Sequence, residues 1–506
     1  MKQSNQKEKT MTGEITPIEK FTDELKQWYQ NDTGSFKTDF DAAIAGVKDP
    51  PADTDWLVYY NWKGKGIDDL CAFFVEWNDW MPKVETGLDY IQKFSWLYYE
   101  NNAGHTFIKS DQAKIMMKQF VTLRGAYMDS VASQPLVAEW IKELGTKQMS
   151  QFNRTQPDEF NNFNDFFTRG LKDGARPLAF PDDNTVVVAP ADCVINMIVD
   201  DLTEKTAIQA KNVSLNLNQL LNGSEHSKRF IGGTAVSCIL MPNTYHRYHS
   251  PVSGKVIESN ADVMGDYFGI KDFPDLLDKG DVGYGYDYSD FEVFRRGYLI
   301  IQTPNYGLVG MIPVGLNTIG SVIFKDTLKR ITSSDTPVPI AKGEQVGYFQ
   351  YGGSLNILLF EPGRFPSLNL LVKEKIGVIN TNCEVSAKTK WVDSRININA
   401  GDAVELRYSG GIWEASPESG FVDAAGNSNF TAKPGYTLPG KNEGALCGRI
   451  GPDGDVFLVG KKVDFTAKTS GDLFFCINDD LTGEYGAGFT DNIGSVYVTV
   501  DITPVK

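Results

Sequence analysis

The hydrophobic periodicity of this chain changes near residue 160, and that change limits its folds more than any other feature. Before it, Leu70, Phe73, Phe74 and Trp77 fall at i, i+3, i+4 and i+7, and Leu88, Ile91, Phe94 and Tyr98 keep to one face. This is the spacing of helices that turn an aromatic stripe inward. A further helix is predicted with Ser133 as its N-cap, Pro135 in its first turn, Gly145 just past its end, and Leu136, Trp140 and Leu144 on one face. After it, short β-branched runs such as Val186 to Val188, Leu299 to Gln302 and Leu355 to Phe360 are broken by Gly, Pro and Asn. One period cannot serve both parts, so the sequence predicts a multidomain α+β chain. Its expected parts are a helical N-terminal module at 1–155, a β-rich core at 156–383, a linker at 384–390 and a C-terminal β-sandwich at 391–506.

A length of 506 residues with 41% hydrophobic content supplies enough apolar surface for several cores, which excludes general disorder. The formal charge of -16 repels phosphate backbones and so argues against nucleic acid as a partner. The most apolar stretches, around Cys71 to Val75 and Gly232 to Met241, fall well short of the roughly 18 residues that a membrane-spanning helix needs. The first twenty residues are charged and contain no apolar signal core. Cys71, Cys193, Cys238, Cys383, Cys447 and Cys476 show no C-x-x-C spacing, the pattern of buried thiols in a reducing compartment. A soluble, cytoplasmic protein is therefore expected.

Neutral-pH proton transfer most readily uses imidazole, and the chain has only four histidines: His105, His226, His246 and His249. His246 and His249 stand three residues apart in the Pro-bounded segment Leu240 to Pro251. Taken alone, such a pair reads as well as two metal ligands or two structural histidines. Other motifs accompany it. Upstream lie Phe163-Asn164-Asp165-Phe166-Phe167-Thr168-Arg169, Gly174-Ala175-Arg176-Pro177 and Ala189-Pro190-Ala191-Asp192. Downstream lie Val314 to Ser321, Lys342-Gly343-Glu344-Gln345-Val346-Gly347-Tyr348-Phe349 and Tyr351-Gly352-Gly353-Ser354. In order and spacing these resemble the phosphatidylserine decarboxylase family, from about Phe160 to Pro362.

That resemblance implies self-cleavage between Gly353 and Ser354. The two glycines permit a backbone geometry that a Cβ would forbid, and in it the serine hydroxyl attacks the carbonyl before it. The resulting ester eliminates to dehydroalanine, whose hydrolysis leaves a pyruvoyl group at the new amino terminus. That carbonyl drains the electrons released as carbon dioxide departs. The resemblance further implies that His249 is the base for cleavage, oriented by Asp192, and that His246 serves decarboxylation or protonation of the product. The family usually follows its serine with Ser or Thr, whereas this chain has Leu355, a change that removes no atom the mechanism needs.

Two substrate classes follow from the resemblance. The family's named lipid, phosphatidylserine, is one. A free aromatic amino acid such as tryptophan is the other, because soluble relatives with a helical extension match the N-terminal module. No residue in the sequence reads the substrate head.

The segment Trp391 to Lys506 resembles the PA-I type galactophilic lectins, which are calcium-dependent β-sandwiches. The likeness rests on Asn397 to Asp402, Gly411 to Ser416, Gly444-Ala445-Leu446, Gly448 to Gly451, Ile477-Asn478-Asp479, Tyr485-Gly486, Asp491-Asn492 and Gly494-Ser495. It implies calcium held by Asp479, Asp491 and Asn492 with the carbonyls of Glu484 and Ser416, and a galactose-type ligand. An insertion, Ala487 to Thr490, lies between two of these motifs. The alternative of another class is a carbohydrate-binding protein with a decayed decarboxylase core; retention of Asp192, His246, His249, Gly353 and Ser354 favours the enzyme. A homo-oligomer is compatible with either.

Overall fold

The computed structural model describes residues 15–50, 58–83, 87–208, 213–267, 294–316, 322–365 and 381–505. Residues 1–14 and the Asn317 to Ser321 part of the motif that begins at Val314 lie outside these. The chain divides into two compact units, 1–48 with 60–367 and 49–59 with 368–506. The helical module and the β-rich core, expected as separate domains, thus share one unit.

Among the described residues, seven α-helices open the first unit: α1 (Pro17–Asn31), α2 (Phe36–Ala45), α3 (Ile67–Asp79), α4 (Asp89–Ser95), α5 (Asn102–Lys109), α6 (Asp111–Met128) and α7 (Pro135–Met149). The stripe read from the sequence is what α3 buries, with Leu70, Phe73, Phe74 and Trp77 inward. Phe74 and Trp77 meet Phe120 of α6 at ring-centroid distances of 4.7 and 4.8 Å, close enough for aromatic pairing to add to burial. Gly145, expected just past the end of this helix, lies inside α7 and kinks it with φ +74°. Ser133 does not cap α7. Its hydroxyl donates to the Met128 and Ser130 carbonyls and accepts from the Phe163 amide, so it ties the end of α6 to the start of α8 (Phe163–Phe167).

An eight-stranded sheet forms the centre of this unit. It runs in the order β1 (Val194–Val199), β4 (Thr234–Leu240), β13 (Gly353–Phe360), β8 (Leu308–Leu316), β7 (Arg296–Gln302), β6 (Gly254–Val263) and β10 (Arg330–Ile331), with β11 (Val338–Ile340) also on β6. A three-stranded sheet, β5 (Arg247–His249), β12 (Gln345–Phe349) and β9 (Val322–Phe324), shares its core. Alternate residues Val236, Cys238 and Leu240 of β4 and Leu358 and Phe360 of β13 meet Tyr248, Val346 and Phe349 there, as the two-residue period of a strand requires. The strands β2 (Lys205–Ile208) and β3 (Val213–Asn216) pair with each other, and a short α9 (Leu217–Leu220) follows. Val186 to Val188, expected as a strand, forms none. Its Val188 amide donates to the Pro251 carbonyl.

The second unit is a sandwich. One sheet holds β14 (Asn382–Ser386), β22 (Ile493–Thr503), β16 (Ala403–Glu414) and β20 (Lys462–Thr466). The other holds β15 (Val392–Ile398), β21 (Gly471–Ile477), β18 (Asn442–Ile450) and β17 (Ala425–Thr431), with β19 (Phe457–Leu458) on β18. Val385, Leu406, Val496 and Val498 of the first sheet and Ile398, Leu446, Phe475 and Ile477 of the second fill one core. The expected linker at 384–390 is corrected here: Glu384, Val385 and Ser386 belong to β14 and pair with β22.

Candidate active site

Ser354 stands at the start of β13, between Leu240 of β4 and Gly315 of β8. It is 1% exposed, and its hydroxyl has no hydrogen-bond partner. Gly352, just before the expected cleavage site, has φ +146°, a value open to glycine and costly for other residues. The approach to the serine is fixed by the helices. Tyr351 donates from its hydroxyl to the Gly87 carbonyl at 2.8 Å, and its amide donates to Asn164 of α8 at 3.2 Å. Its ring packs edge-on to Trp140, Phe163 and Phe167.

His246 is fully buried, with its ring against Phe167 at 4.0 Å between centroids. Nδ1 lies 3.1 Å from the Thr244 carbonyl, which can only accept, so Nδ1 carries the proton and Nε2 presents a bare lone pair. Nε2 is buried and unpartnered. Burial pushes this imidazole down to about 3; the Thr244 bond opposes the shift and the Arg169 guanidinium adds to it. Arg169 is itself buried between Phe152 and Phe166, at 4.2 and 4.7 Å from their ring centres, and donates to the Phe166 carbonyl. The Phe163 to Arg169 motif therefore shapes the wall behind His246.

His249 is half-buried. Its Nδ1 donates to the Gly343 carbonyl at 2.8 Å and its Nε2 accepts from the Tyr245 hydroxyl at 3.0 Å. Burial lowers its basicity, offset in part by the Gly343 bond, while Arg247 and Lys325 push it further down and Asp192 pulls it up. Gly343 has φ +77°, and a Cβ there would meet Leu178 at 2.9 Å. The carbonyl that orients His249 thus depends on a glycine. The adjacent Lys342 is buried and donates to the carbonyls of Phe180, Asp183 and Val186, which pins the preceding loop against this turn.

Asp192 does not bond to His249 in this arrangement. Its two carboxylate oxygens accept from Arg176 at 2.9 and 2.7 Å, and its influence on the imidazole is electrostatic. The expected chain Asp192, His249, Ser354 is therefore not assembled: Gly343 does the orienting, and Tyr245 occupies the lone pair meant for the serine proton. Sequence reasoning missed Tyr245 and the role of Gly343, although Tyr245 adjoins His246 and Gly343 lies within a motif already noted. Among the described residues no helix is long and apolar enough to cross a membrane.

In the second unit, Asp479 is buried and its Oδ2 has no partner, while its Oδ1 accepts from the Asp480 amide at 2.7 Å. Burial pushes its carboxyl up to about 6; the Asp480 amide and the Asn492 side chain oppose this, and Glu443 and Asp491 add to it. Asp491 Oδ1 and Asn492 Oδ1 are buried and unpartnered as well. The other two expected ligands fit less well. Glu484 is exposed, and the Ser416 carbonyl already accepts from the Ser419 hydroxyl and amide. Among the described residues no three His, Cys, Asp or Glu side chains gather as a metal cluster.

Ser354 and His246 are thus buried with unpartnered polar atoms, and His249 is half-buried with both ring nitrogens bonded. The sequence profile of phosphatidylserine decarboxylase matches residues 163–381. The phosphatidylserine decarboxylase proenzyme of Clostridium novyi is 30% identical over 266 residues, 53% of this chain and 81% of that protein. The proenzyme of Fusobacterium nucleatum is 29% identical over 267 residues, 52% of this chain and 78% of that protein. A solved structure described as the EclA N-terminal domain, a PllA-like lectin, is 19% identical with TM-score 0.19, covering 24% of this chain and 95% of that one. The chain belongs to the phosphatidylserine decarboxylase family, and it is a carboxy-lyase.

Proposed function

We propose that the chain is a proenzyme that cuts itself between Gly353 and Ser354 and then decarboxylates the serine head of phosphatidylserine, the lipid named for its relatives. The observation that carries this reading is the buried, unpartnered hydroxyl of Ser354. A serine held dry beside glycines, with no bond to spend, suits attack on its own backbone and suits the pyruvoyl group that the family derives from it. When formed, that group supplies an electron-withdrawing carbonyl that the twenty side chains lack.

His249 is assigned as the base for cleavage. It is neutral at physiological pH with its acceptor lone pair on Nε2, and it acts when the bond from Tyr245 is exchanged for one from the serine hydroxyl. Asp192 supports it through its charge, at the distance that its pairing with Arg176 sets. Decarboxylation replaces a carboxylate by a proton at one carbon, and His246 Nε2 is assigned to that proton. Being neutral, it has to take a proton up before it can return one. The test is an intact-mass measurement joined to assay of carbon dioxide from phosphatidylserine in detergent and, separately, from tryptophan. An uncut wild-type chain overturns the reading, while turnover of tryptophan alone transfers it to a free amino acid.

A second reading concerns the sandwich. We infer a calcium site at Asp479, Asp491 and Asn492, supported by three buried acceptor oxygens with no donor, the arrangement that a hard cation satisfies. Ser416 and Glu484 are weaker members of the set. Retention on a galactose column in calcium, and release by chelator, tests whether sugar is bound there.

A further inference from the structure

We propose that Asn356 grips the amino-acid head of the substrate, Nδ2 donating to its carboxylate and Oδ1 accepting from its amine. The proposal rests on the decarboxylase reading above and names a residue that neither the motifs nor the base assignments include. Asn356 is completely buried, and both its polar atoms lack partners. Folds rarely leave a carboxamide in that state, because each unpaired atom forfeits its bonds to water.

Its position explains the cost. Residues two apart on a strand share a face, so Asn356 points to the same side of β13 as Ser354, roughly 7 Å along the strand. The residues directly opposite it are Cys238 of β4 and Pro313 of β8. A proline side chain offers no donor or acceptor and a thiol only weak ones, so neither neighbour answers the amide. After cleavage Asn356 is the third residue of the new chain, within side-chain reach of its first.

The two unpartnered atoms also select the ligand. A phosphodiester offers acceptors only and leaves Oδ1 unanswered. An indole offers a single donor and leaves Nδ2 unanswered. An α-amino acid head carries an N–H donor and a carboxylate acceptor on one carbon, which completes the carboxamide whether that head is free or esterified in a lipid. The product amine has lost the carboxylate, so it is held less tightly than the substrate.

Wild type, Asn356→Leu and Asn356→Ala are compared in three measurements. Intact mass reads cleavage, reaction with phenylhydrazine reads the carbonyl, and steady-state release of carbon dioxide is measured with whichever of phosphatidylserine or tryptophan the wild type accepts. Cleavage and phenylhydrazine reactivity are expected to persist. KM is expected to rise about 10- to 100-fold, as for loss of hydrogen bonds to charged groups, with a smaller change in kcat. The wild type's preference for substrate over product amine as an inhibitor should also shrink. A cleaved variant whose KM stays within about twofold of wild type overturns the proposal. So does failure of both variants to cleave, since Asn356 then serves the fold or the processing step. Failure of the wild type to cleave is a different result, and it removes the decarboxylase reading itself.

Discussion

Both compact units bury polar atoms that the protein leaves unpartnered, and the two sets differ in kind. Around β13 they include the Ser354 and Ser237 hydroxyls, His246 Nε2 and the Asn356 carboxamide, uncharged groups with both donors and acceptors among them. In the sandwich Asp479 Oδ2, Asp491 Oδ1 and Asn492 Oδ1 are acceptors, two of them on carboxylates, while a further such atom, Arg449 Nε, is a donor whose guanidinium lies over the Trp391 ring. A mixed neutral set is suited to an organic molecule that presents both kinds of group. Three acceptors under mutual repulsion are suited to a cation.

The largest test of this contrast removes the nucleophile. Ser354→Ala is expected to stay whole and to lose all turnover, where wild type gives 353- and 153-residue fragments; mass spectrometry reads the difference. A smaller effect separates the histidines. His249→Ala should not cleave, whereas His246→Ala should cleave and lose about 10²–10⁴-fold in turnover, the usual share of general acid or base work. Because burial lowers the His249 value, wild-type cleavage should run at a constant rate from about pH 8 down to the ordinary imidazole value near 6.5. It should slow only at more acid pH, where Nε2 takes a proton from solvent; pulse labelling followed by gel analysis checks this.

The acidic set predicts the opposite behaviour. Asp479 has its folded value raised to about 6, so its stabilising contribution is full below the unfolded value of about 3.9 and is lost as pH rises through the folded one. Calorimetry of the chelated full chain should show the sandwich melting higher at about pH 5 than at about pH 7.5, a difference of roughly 1.4 kcal/mol. Calcium should reverse the trend by binding the ionised form, and Asp479→Asn should abolish both effects. Equal melting with and without calcium would leave the sandwich without a metal role. The smallest effect is expected at Tyr351→Phe, which deletes the bond to the Gly87 carbonyl and should cost about 1 kcal/mol. It should also slow cleavage slightly, as the helices loosen their hold on the scissile loop.

Much of this was readable from residue order. The stripe of α3, the strand after Ser354 and the histidine pair follow from short-range spacing, where period and local chemistry decide. The linker error was avoidable, since Cys383, Val385 and Ala387 are buried alternately with exposed Glu384, the two-residue pattern of a strand. The partner of Asp192 was not readable. Arg176 lies sixteen residues away in the chain, and only the folded path between them shows that it, and not His249, bonds the carboxylate. Nor could spacing show that Asn356 lacks partners, because that depends on Cys238 and Pro313 arriving from two other strands.

Strand β13 is flanked along its length by β4 and β8. The proposed cut between Gly353 and Ser354 would therefore sever the backbone without releasing either piece. The mature enzyme proposed here would then be two chains that never folded separately, held by ladder hydrogen bonds on both edges of β13. Fragments made apart would have to part β4 from β8 to reassemble, so correct maturation would depend on folding first and breaking the chain afterwards.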